Sequence, residues 1–241
     1  MNPIHLVAPA KLTTSLRIVG RRADGYHLIE AEMVSLDLAD DLEVTGSDVI
    51  EVFHRDVSTG ATVVAGADDL VARALRAVDR VARVVVTKRI APGAGLGGGS
   101  SDAAAVLRWA GCDDRDLAAA IGADVAFCLV GGRARVGGIG EVVEPLPARQ
   151  ATFTLLTPPV HCSTPAVYRE WDRLGGPAGD NGNDLEPAAV SLVPELARWR
   201  DELGEATGAR PRLAGSGSTW FVEGSFPGAG RVVTRTVPAS A

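Results

Sequence analysis

The chain has 241 residues, of which 46% are hydrophobic and 22% charged, the composition of one or two folded domains rather than of a disordered tail. Its 24 Lys and Arg against 30 Asp and Glu leave a net charge of -6, which offers no diffuse attraction to nucleic acid or anionic lipid, so any phosphate must be gripped locally. No apolar run approaches the ~20 residues of a membrane helix. The stretch from Met1 to Leu16, with Lys11 in its middle, lacks the apolar core of a secretory signal. We therefore expect a cytoplasmic protein without a nucleic-acid or membrane partner. Cys112, Cys128 and Cys162 are too few and too far apart for a metal pair or a disulfide framework and read as small buried hydrophobes.

In chain order, Ile4 to Ile18 alternates with a period near two and ends at the turn Gly20 to Gly25, which predicts a strand followed by its partner. Ala31 to Leu38 and Asp41 to Val44 read as two short strands, with edge segments at 49–53 and 61–64. Asp68 and Asp69 open a helix carried by Leu70, Ala74, Leu75 and Val78, and 81–90 is again β-rich. The segment 92–99 breaks all periodicity. Ser100-Ser101-Asp102 then opens an alanine-rich helix that stops at Gly111. A short helix at 116–121, an apolar run at 125–130 and strands near 134–136 and 142–143 follow, and the composition shift at 145–149 marks a candidate domain boundary. Beyond it come a strand at 153–156, helical spacing at 165–174 and 193–203, and a Gly/Asp/Asn loop at 175–183.

Five glycines in the seven positions 93–99, directly before a helix start, are the strongest local signal. Glycines without Cβ let backbone N–H groups converge on an anion, and the helix start adds unpaired donors and a positive dipole end. A Walker loop is excluded because no Gly-Lys-Ser/Thr closes the segment. Gly93, Gly95 and Gly98 fit the dinucleotide fingerprint, but the acidic candidates Asp113, Asp114 and Asp116 sit in a polar helix-linking segment rather than at a strand end. Protein-kinase elements are absent. Ser100 and Ser101 read as helix caps or as hydroxyls touching a phosphate-bound metal.

Three separated segments, Pro9-Ala10-Lys11-Leu12, Pro92 to Asp102 and Leu213-Ala214-Gly215-Ser216-Gly217-Ser218-Thr219, together resemble the galactokinase, homoserine kinase, mevalonate kinase and phosphomevalonate kinase (GHMP) superfamily of small-molecule kinases. Within it, Gly20 to His27 and Ile121-Gly122-Ala123-Asp124-Val125 resemble the branch that phosphorylates the 2-hydroxyl of 4-diphosphocytidyl-2-C-methyl-D-erythritol, on the non-mevalonate route to isoprenoid precursors. The resemblance spans nearly the whole chain. It implies an α+β, two-lobed GHMP kinase fold. Residues 1–148 would form a ribosomal-protein-S5-domain-2-like lobe that binds ATP, and residues 149–241 a shortened, ferredoxin-like α/β sandwich lobe.

The same resemblance implies the site. Pro92, Gly93, Ala94, Gly95, Leu96, Gly97, Gly98, Gly99, Ser100 and Ser101 would hold the phosphates, with Asp69 and Lys88 near the adenosine. Magnesium would accompany ATP, held by phosphates and by Ser101 or water. Tyr26 and His27 would hold the cytosine with Tyr168 closing its opposite face, and Thr13, Thr164, Gly215, Ser216 and Gly217 would contact the substrate. Read as residues alone, Asp124 in a turn can accept the proton of an attacking hydroxyl while Lys11 neutralises charge. Each also reads as a turn-capping aspartate or a strand lysine. Two features depart from the family. Thr13 stands where asparagine is usual, and the chain from Gly224 to Val237 is too short for the helix that usually separates the last strands, which would expose sheet surface or bury it in a homodimer. The alternatives are another GHMP-type kinase, acting on homoserine or a mevalonate-like alcohol, and a nucleotide-binding relative without catalysis.

Overall fold

The computed structural model describes residues 3–57 and 59–239. Strands β1 (Ile4–Arg21) and β2 (His27–Thr45) form an antiparallel pair, reversed through a turn whose Gly25 has φ +93°, a conformation that favours glycine. Their register shifts between Pro9 and Lys11, Thr13 and Ser15, and Ile18 and Gly20; such bulges re-aim side chains. Ala10, Lys11, Leu12 and Thr13 are all buried, because this stretch is covered on both faces. The two short strands expected within 31–44 are one continuous strand. The acidic pair there looked like a break, yet Asp40 is fully buried, its Oδ1 accepting from the amides of Arg89 (2.5 Å) and Ile90 (2.8 Å) and its Oδ2 from Lys88 Nζ.

The first sheet continues with β3 (Glu51–Asp56), β4 (Thr62–Val64), β5 (Arg83–Lys88), β6 (Arg133–Gly137) and β7 (Val142–Pro145). Its order is β4-β3-β5-β2-β6-β7, with β1 paired to β2. Helices α1 (Leu70–Ala77), α2 (Gly98–Trp109), α3 (Arg115–Ile121) and α4 (Val125–Val130) share a core with its strands through Leu42, Val84 and Val86 against Ala104, Leu107 and Phe127. Every residue of α2 from Ser101 to Leu107 is buried. A helix apolar all round belongs inside, and small alanines let its neighbours approach closely. The apolar run at 125–130 is the helix α4.

The second sheet contains β8 (Thr152–Leu156), β9 (Arg212–Leu213), β10 (Trp220–Glu223) and β11 (Arg231–Arg235) in the order β11-β8-β10-β9, all antiparallel. Helices α5 (Thr164–Arg173), α6 (Glu186–Leu192) and α7 (Glu195–Thr207) pack with one face of it through Val167, Leu185, Leu196 and Leu203 around Trp220. Helix α6 was not among the expected elements, because the proline at the start of its seven residues interrupts the helical spacing. The other face of the sheet, with Phe153, Leu155 and Phe221, packs on Ala10, Leu12, Leu36, Ile90, Ala94 and Leu96. One apolar layer thus joins the second sheet to β1, β2 and the glycine segment, and each large side chain sealed in it contributes about 2 kcal/mol.

Residues 224–230 join β10 to β11 without a helix. Instead Thr154 Oγ1 donates to the Gly224 carbonyl (2.8 Å) and accepts from the Phe226 amide (3.0 Å), and Phe226 packs beside the helices. Val232 and Val233 remain 45% and 36% exposed. No helix among the described residues is long and apolar enough to cross a membrane.

The Asp40 network leads to a stability prediction. Asp40→Ala strands the buried Ile90 amide, the Arg89 amide and a half-buried lysine, so it should cost about 3 kcal/mol of unfolding free energy in urea titration. A loss below about 0.5 kcal/mol would show that the network does not hold β2 to β5.

Candidate active site

The glycine segment is pinned by what lies between its glycines. Ala94 and Leu96 are 2% exposed and anchor it in the shared apolar layer, while Leu96 O accepts the amide of Lys11 (3.0 Å) and Ala94 O that of Thr219 (3.2 Å). A Cβ on Gly95 would lie 2.6 Å from the carbonyl oxygens of both Ala214 and Gly217, so glycine is required for the loop to touch the 214–217 segment. Gly97 caps α2 in the left-handed conformation, φ +66°. The first helical bond runs from Ser101 N to Gly97 O, which leaves the N–H groups of Gly98, Gly99 and Ser100 unpaired at the positive end of a twelve-residue helix, a ready cradle for phosphate.

Several expectations for this segment are corrected. The helix starts at Gly98, not at the serines, and no side chain caps it. Ser101 is 1% exposed and its hydroxyl donates to Pro9 O at 2.6 Å, so it ties α2 to β1. Ala94 and Leu96 line the core with their side chains, and the Ala94 amide is spent on Ala91 O. Pro92 is exposed and has no N–H to offer.

Asp69 caps α1, its Oδ1 accepting from the amides of Val71 and Ala72, and its Oδ2 lies 2.8 Å from His54 Nε2. Burial opposes its charge, but these bonds hold the carboxyl below its ordinary value. Lys88 lies between Asp40 and Asp102 (2.7 Å to the latter). Burial lowers its affinity for a proton, but the two carboxylates raise it further than burial lowers it. Both residues are thus engaged in structural bonds beneath the loop rather than being free surface charges. Asp102 is fully buried with one unpartnered oxygen. Burial, with the charge of Asp40 added, raises its carboxyl to about 7 against the pull of Lys88.

Lys11 and Asp124 meet at 3.2 Å, the lysine side chain 6% and the aspartate 32% exposed. Lys11 Nζ also donates to Thr13 Oγ1 at 3.2 Å. Thr13, in the usual place of asparagine, thus serves here as a partner of the lysine. A Cβ on Gly97 would meet Lys11 Cγ at 2.6 Å, so the lysine stem lies directly against the cap of α2. Asp124 precedes α4 without capping it, which leaves its carboxylate for the cavity. Gly140, from the β6–β7 turn, supports this corner: a Cβ there would lie 2.8 Å from Ala123 O.

The pair lines a cavity of about 570 Å³ that extends past Tyr26, His27, Thr164, Tyr168 and Ser216. Thr164 and Ser216 bond through their hydroxyls at 2.8 Å. Tyr26 is 60% exposed, while Tyr168 is largely buried, and that burial, with the nearby charge of Asp124, pushes its hydroxyl to about 12. One face of Tyr168 is not open, as expected for a base, but stacked on His27 at 4.9 Å and 25°. His27 Nε2 in turn lies 2.8 Å from Asp172 Oδ1.

Sequence reasoning missed Asn183, Arg169 and Asp172. Asn183 Nδ2 donates to the carbonyls of Leu213 (2.8 Å) and Gly215 (2.7 Å) and its Oδ1 accepts from Leu185 N (2.9 Å), holding the 213–217 segment in place. The loop that contains it is also clamped to β1 through Asp184, which accepts from Arg17 (2.6 Å) and the Ile18 amide (2.9 Å). The available signal was Asn183-Asp184 at the end of a loop otherwise read as a linker. Arg169 and Asp172 flank Tyr168 on α5 and line the cavity.

Two predictions follow from this geometry. Gly95→Ala forces a left-handed alanine into two carbonyls and should destabilise the chain by about 2 kcal/mol, with the apparent affinity for ATP falling in parallel; unchanged melting and ATP binding would contradict the contact. Between the ordinary 3.8 and about 7 the folded chain keeps the Asp102 proton that the unfolded chain has released, so stability through this group falls as pH rises across that window. Asp102→Asn should flatten that slope in denaturant titrations at several pH values, and an unaltered slope would refute the assignment.

Residues 62–132 match the family described as GHMP kinases N terminal domain. The 4-diphosphocytidyl-2-C-methyl-D-erythritol kinase of Paracoccus denitrificans is 36% identical over 240 residues, covering 91% of this chain and 87% of its own. That of Thiobacillus denitrificans is 35% identical over 258 residues, covering 96% and 90%. A crystal structure of 4-(cytidine 5'-diphospho)-2C-methyl-D-erythritol kinase aligns with a TM-score of 0.72 at 33% identity, over 90% of this chain and 89% of that one. A homoserine kinase from Cytophaga hutchinsonii shares the fold alone, with a TM-score of 0.63 at 17% identity over 99% and 96%. On its motifs, its architecture and this likeness along nearly its full length, the chain belongs to the 4-diphosphocytidyl-2-C-methyl-D-erythritol kinase family of the GHMP kinases.

Proposed function

We propose that the chain transfers the terminal phosphoryl group of ATP to the 2-hydroxyl of 4-diphosphocytidyl-2-C-methyl-D-erythritol, through Asp124 and Lys11. The observation that carries this reading is the 3.2 Å Lys11–Asp124 pair in a cavity lined also by Gly97 at the cap of α2 and by Tyr26, His27 and Tyr168. ATP as donor accords with the GHMP kinase family. The N–H groups of Gly98, Gly99 and Ser100 hold its phosphates, while Gly93, Gly95 and Gly97 let the loop pack closely against His161, the 214–217 segment and Lys11. We place the boundary between the lobes at residues 148 and 149.

In the reaction the substrate 2-hydroxyl gives its proton to the Asp124 carboxylate as its oxygen forms a bond to the terminal phosphorus. The bond from that phosphorus to the bridging oxygen breaks, and ADP departs with the electron pair. Lys11, held by Thr13, offsets the charge on the moving phosphoryl oxygens, and its 3.2 Å contact orients the Asp124 carboxylate toward the cavity. At the far end, cytosine lies on exposed Tyr26 against the edge of the His27–Tyr168 stack, each base–ring contact contributing about 1 to 3 kcal/mol. Thr164, Gly215, Ser216 and Gly217 border the diphosphate and the erythritol. Magnesium would travel with the nucleotide phosphates and spread their charge, held by those phosphates and by Ser101 or water. The absence of a membrane-spanning helix among the described residues is compatible with work in the cytoplasm.

The test is ADP release with this substrate, with cytidine diphosphate as competitor. Asp124→Asn should lower kcat by a hundredfold to ten-thousandfold, roughly what a general base supplies, with KM for ATP little altered. Turnover unaffected by Asp124→Asn would remove it as the base. Faster phosphorylation of homoserine, with no competition by cytidine diphosphate, would favour a different GHMP kinase.

A further inference from the structure

We infer that Asp172 is a positioning residue that fixes His27 as a hydrogen-bond acceptor, and that this polarity makes the cavity select an aminopyrimidine over an oxopyrimidine. The inference rests on the reading that the cavity takes a cytidine substrate, and it adds the residue that sets base specificity. A carboxylate has no proton to donate, so across the 2.8 Å contact His27 Nε2 is the donor. In the neutral ring, which carries a single N–H, Nδ1 is then a bare acceptor. Nδ1 has no partner among the described residues, and it is not among the sealed polar atoms. Cytosine presents an amine at its fourth position and uracil a carbonyl. A fixed acceptor attracts the first and repels the second, the kind of polar mismatch that discriminates strongly.

The ring cannot turn to offer its other nitrogen. Tyr168 stacks on one face at 4.9 Å and 25°, and Trp171 meets it edge-on at 5.5 Å and 89°. Trp171 is itself held by its Nε1–H on Pro177 O at 2.9 Å. Tyr168, Trp171 and Asp172 stand three and four residues apart on α5, so one helix face supplies every contact that orients the imidazole. The second oxygen of Asp172 lies 3.6 Å from an Arg21 guanidinium nitrogen, which braces the carboxylate from β1. The side chain of His27 is only 8% exposed, as suits a fixed reader rather than a mobile surface group.

The experiment compares kcat/KM for the cytidine substrate and its uridine counterpart in the wild type, Asp172→Ala and Asp172→Glu. 15N NMR of the imidazoles is recorded alongside, with the His27 signal assigned through His27→Gln and folding checked by thermal melting. The wild type should show the Nε2–H tautomer and prefer the cytidine form. Asp172→Ala should lose about tenfold in kcat/KM for the cytidine form, mostly through KM, while the preference between bases shrinks by a similar factor. Asp172→Glu should recover part of that preference. A base preference untouched by Asp172→Ala, or an Nδ1–H tautomer in the wild type, would overturn the inference. A wild type that phosphorylates neither nucleotide would overturn the proposed function and with it the specificity role, while the tautomer remains readable without turnover.

Discussion

The amide of Lys11 donates to the carbonyl of Leu96 across 3.0 Å, and this one backbone bond sets the register between the first strand and the glycine segment. Because the Lys11 stem lies directly against Gly97, the same register aims the ammonium group past the cap of α2 toward Asp124. The segment cannot slide without pulling Ala94 and Leu96 out of the apolar layer that also holds Phe153, Leu155 and Phe221. Stability and catalytic geometry thus draw on the same contacts. The loop that must stay open to an anion is rigid because alternate residues are buried, whereas its glycines give little side-chain area to bury.

The site is shared between the two sheets. Lys11, Thr13 and His27 come from the long β1–β2 pair, Asp124 from the turn before α4, and Tyr168 and Asp172 from α5. The 213–217 segment is held by Asn183 from below, by Gly95 from the side and by the Thr164–Ser216 hydroxyl contact from α5. Buried polar bonds of this kind cost a great deal when half made, so they fix one arrangement of the cleft rather than a range of them. Beneath the loop, Lys88 between Asp40 and Asp102 is a structural network. Burial, with the charge of Asp40 added, leaves Asp102 with a raised carboxyl, which makes the core under the phosphate site sensitive to pH.

Much of this was legible in the sequence. The five glycines in seven positions mark a backbone that must approach an anion, and Lys11 and Asp124, each open to a plain structural reading alone, stood out through the resemblance to the GHMP kinases. What could not be read was how polar side chains would be used once buried. Ser101 follows the glycines as a helix cap would, yet its hydroxyl donates to Pro9 O and no side chain caps α2. Asp40 and Asp41 looked like a strand break because charge usually marks a surface, but two amides and a lysine make Asp40 a core residue. The His27–Tyr168 stack and the Asp172 contact join residues 141 and 145 apart in sequence, a proximity that no local pattern encodes. Asn183 was hidden for the opposite reason, since an Asn-Asp pair after glycines is the usual look of a loop.

The most direct test of the account is a crystal structure with a non-hydrolysable ATP analogue and the cytidine substrate bound together. The account predicts phosphate oxygens on the N–H groups of Gly98, Gly99 and Ser100. It also predicts an Asp124 carboxylate oxygen about 2.6 to 3.2 Å from the substrate 2-hydroxyl, with that hydroxyl facing the terminal phosphorus. Phosphates bound elsewhere, or an Asp124 turned away with another group on the hydroxyl, would contradict it.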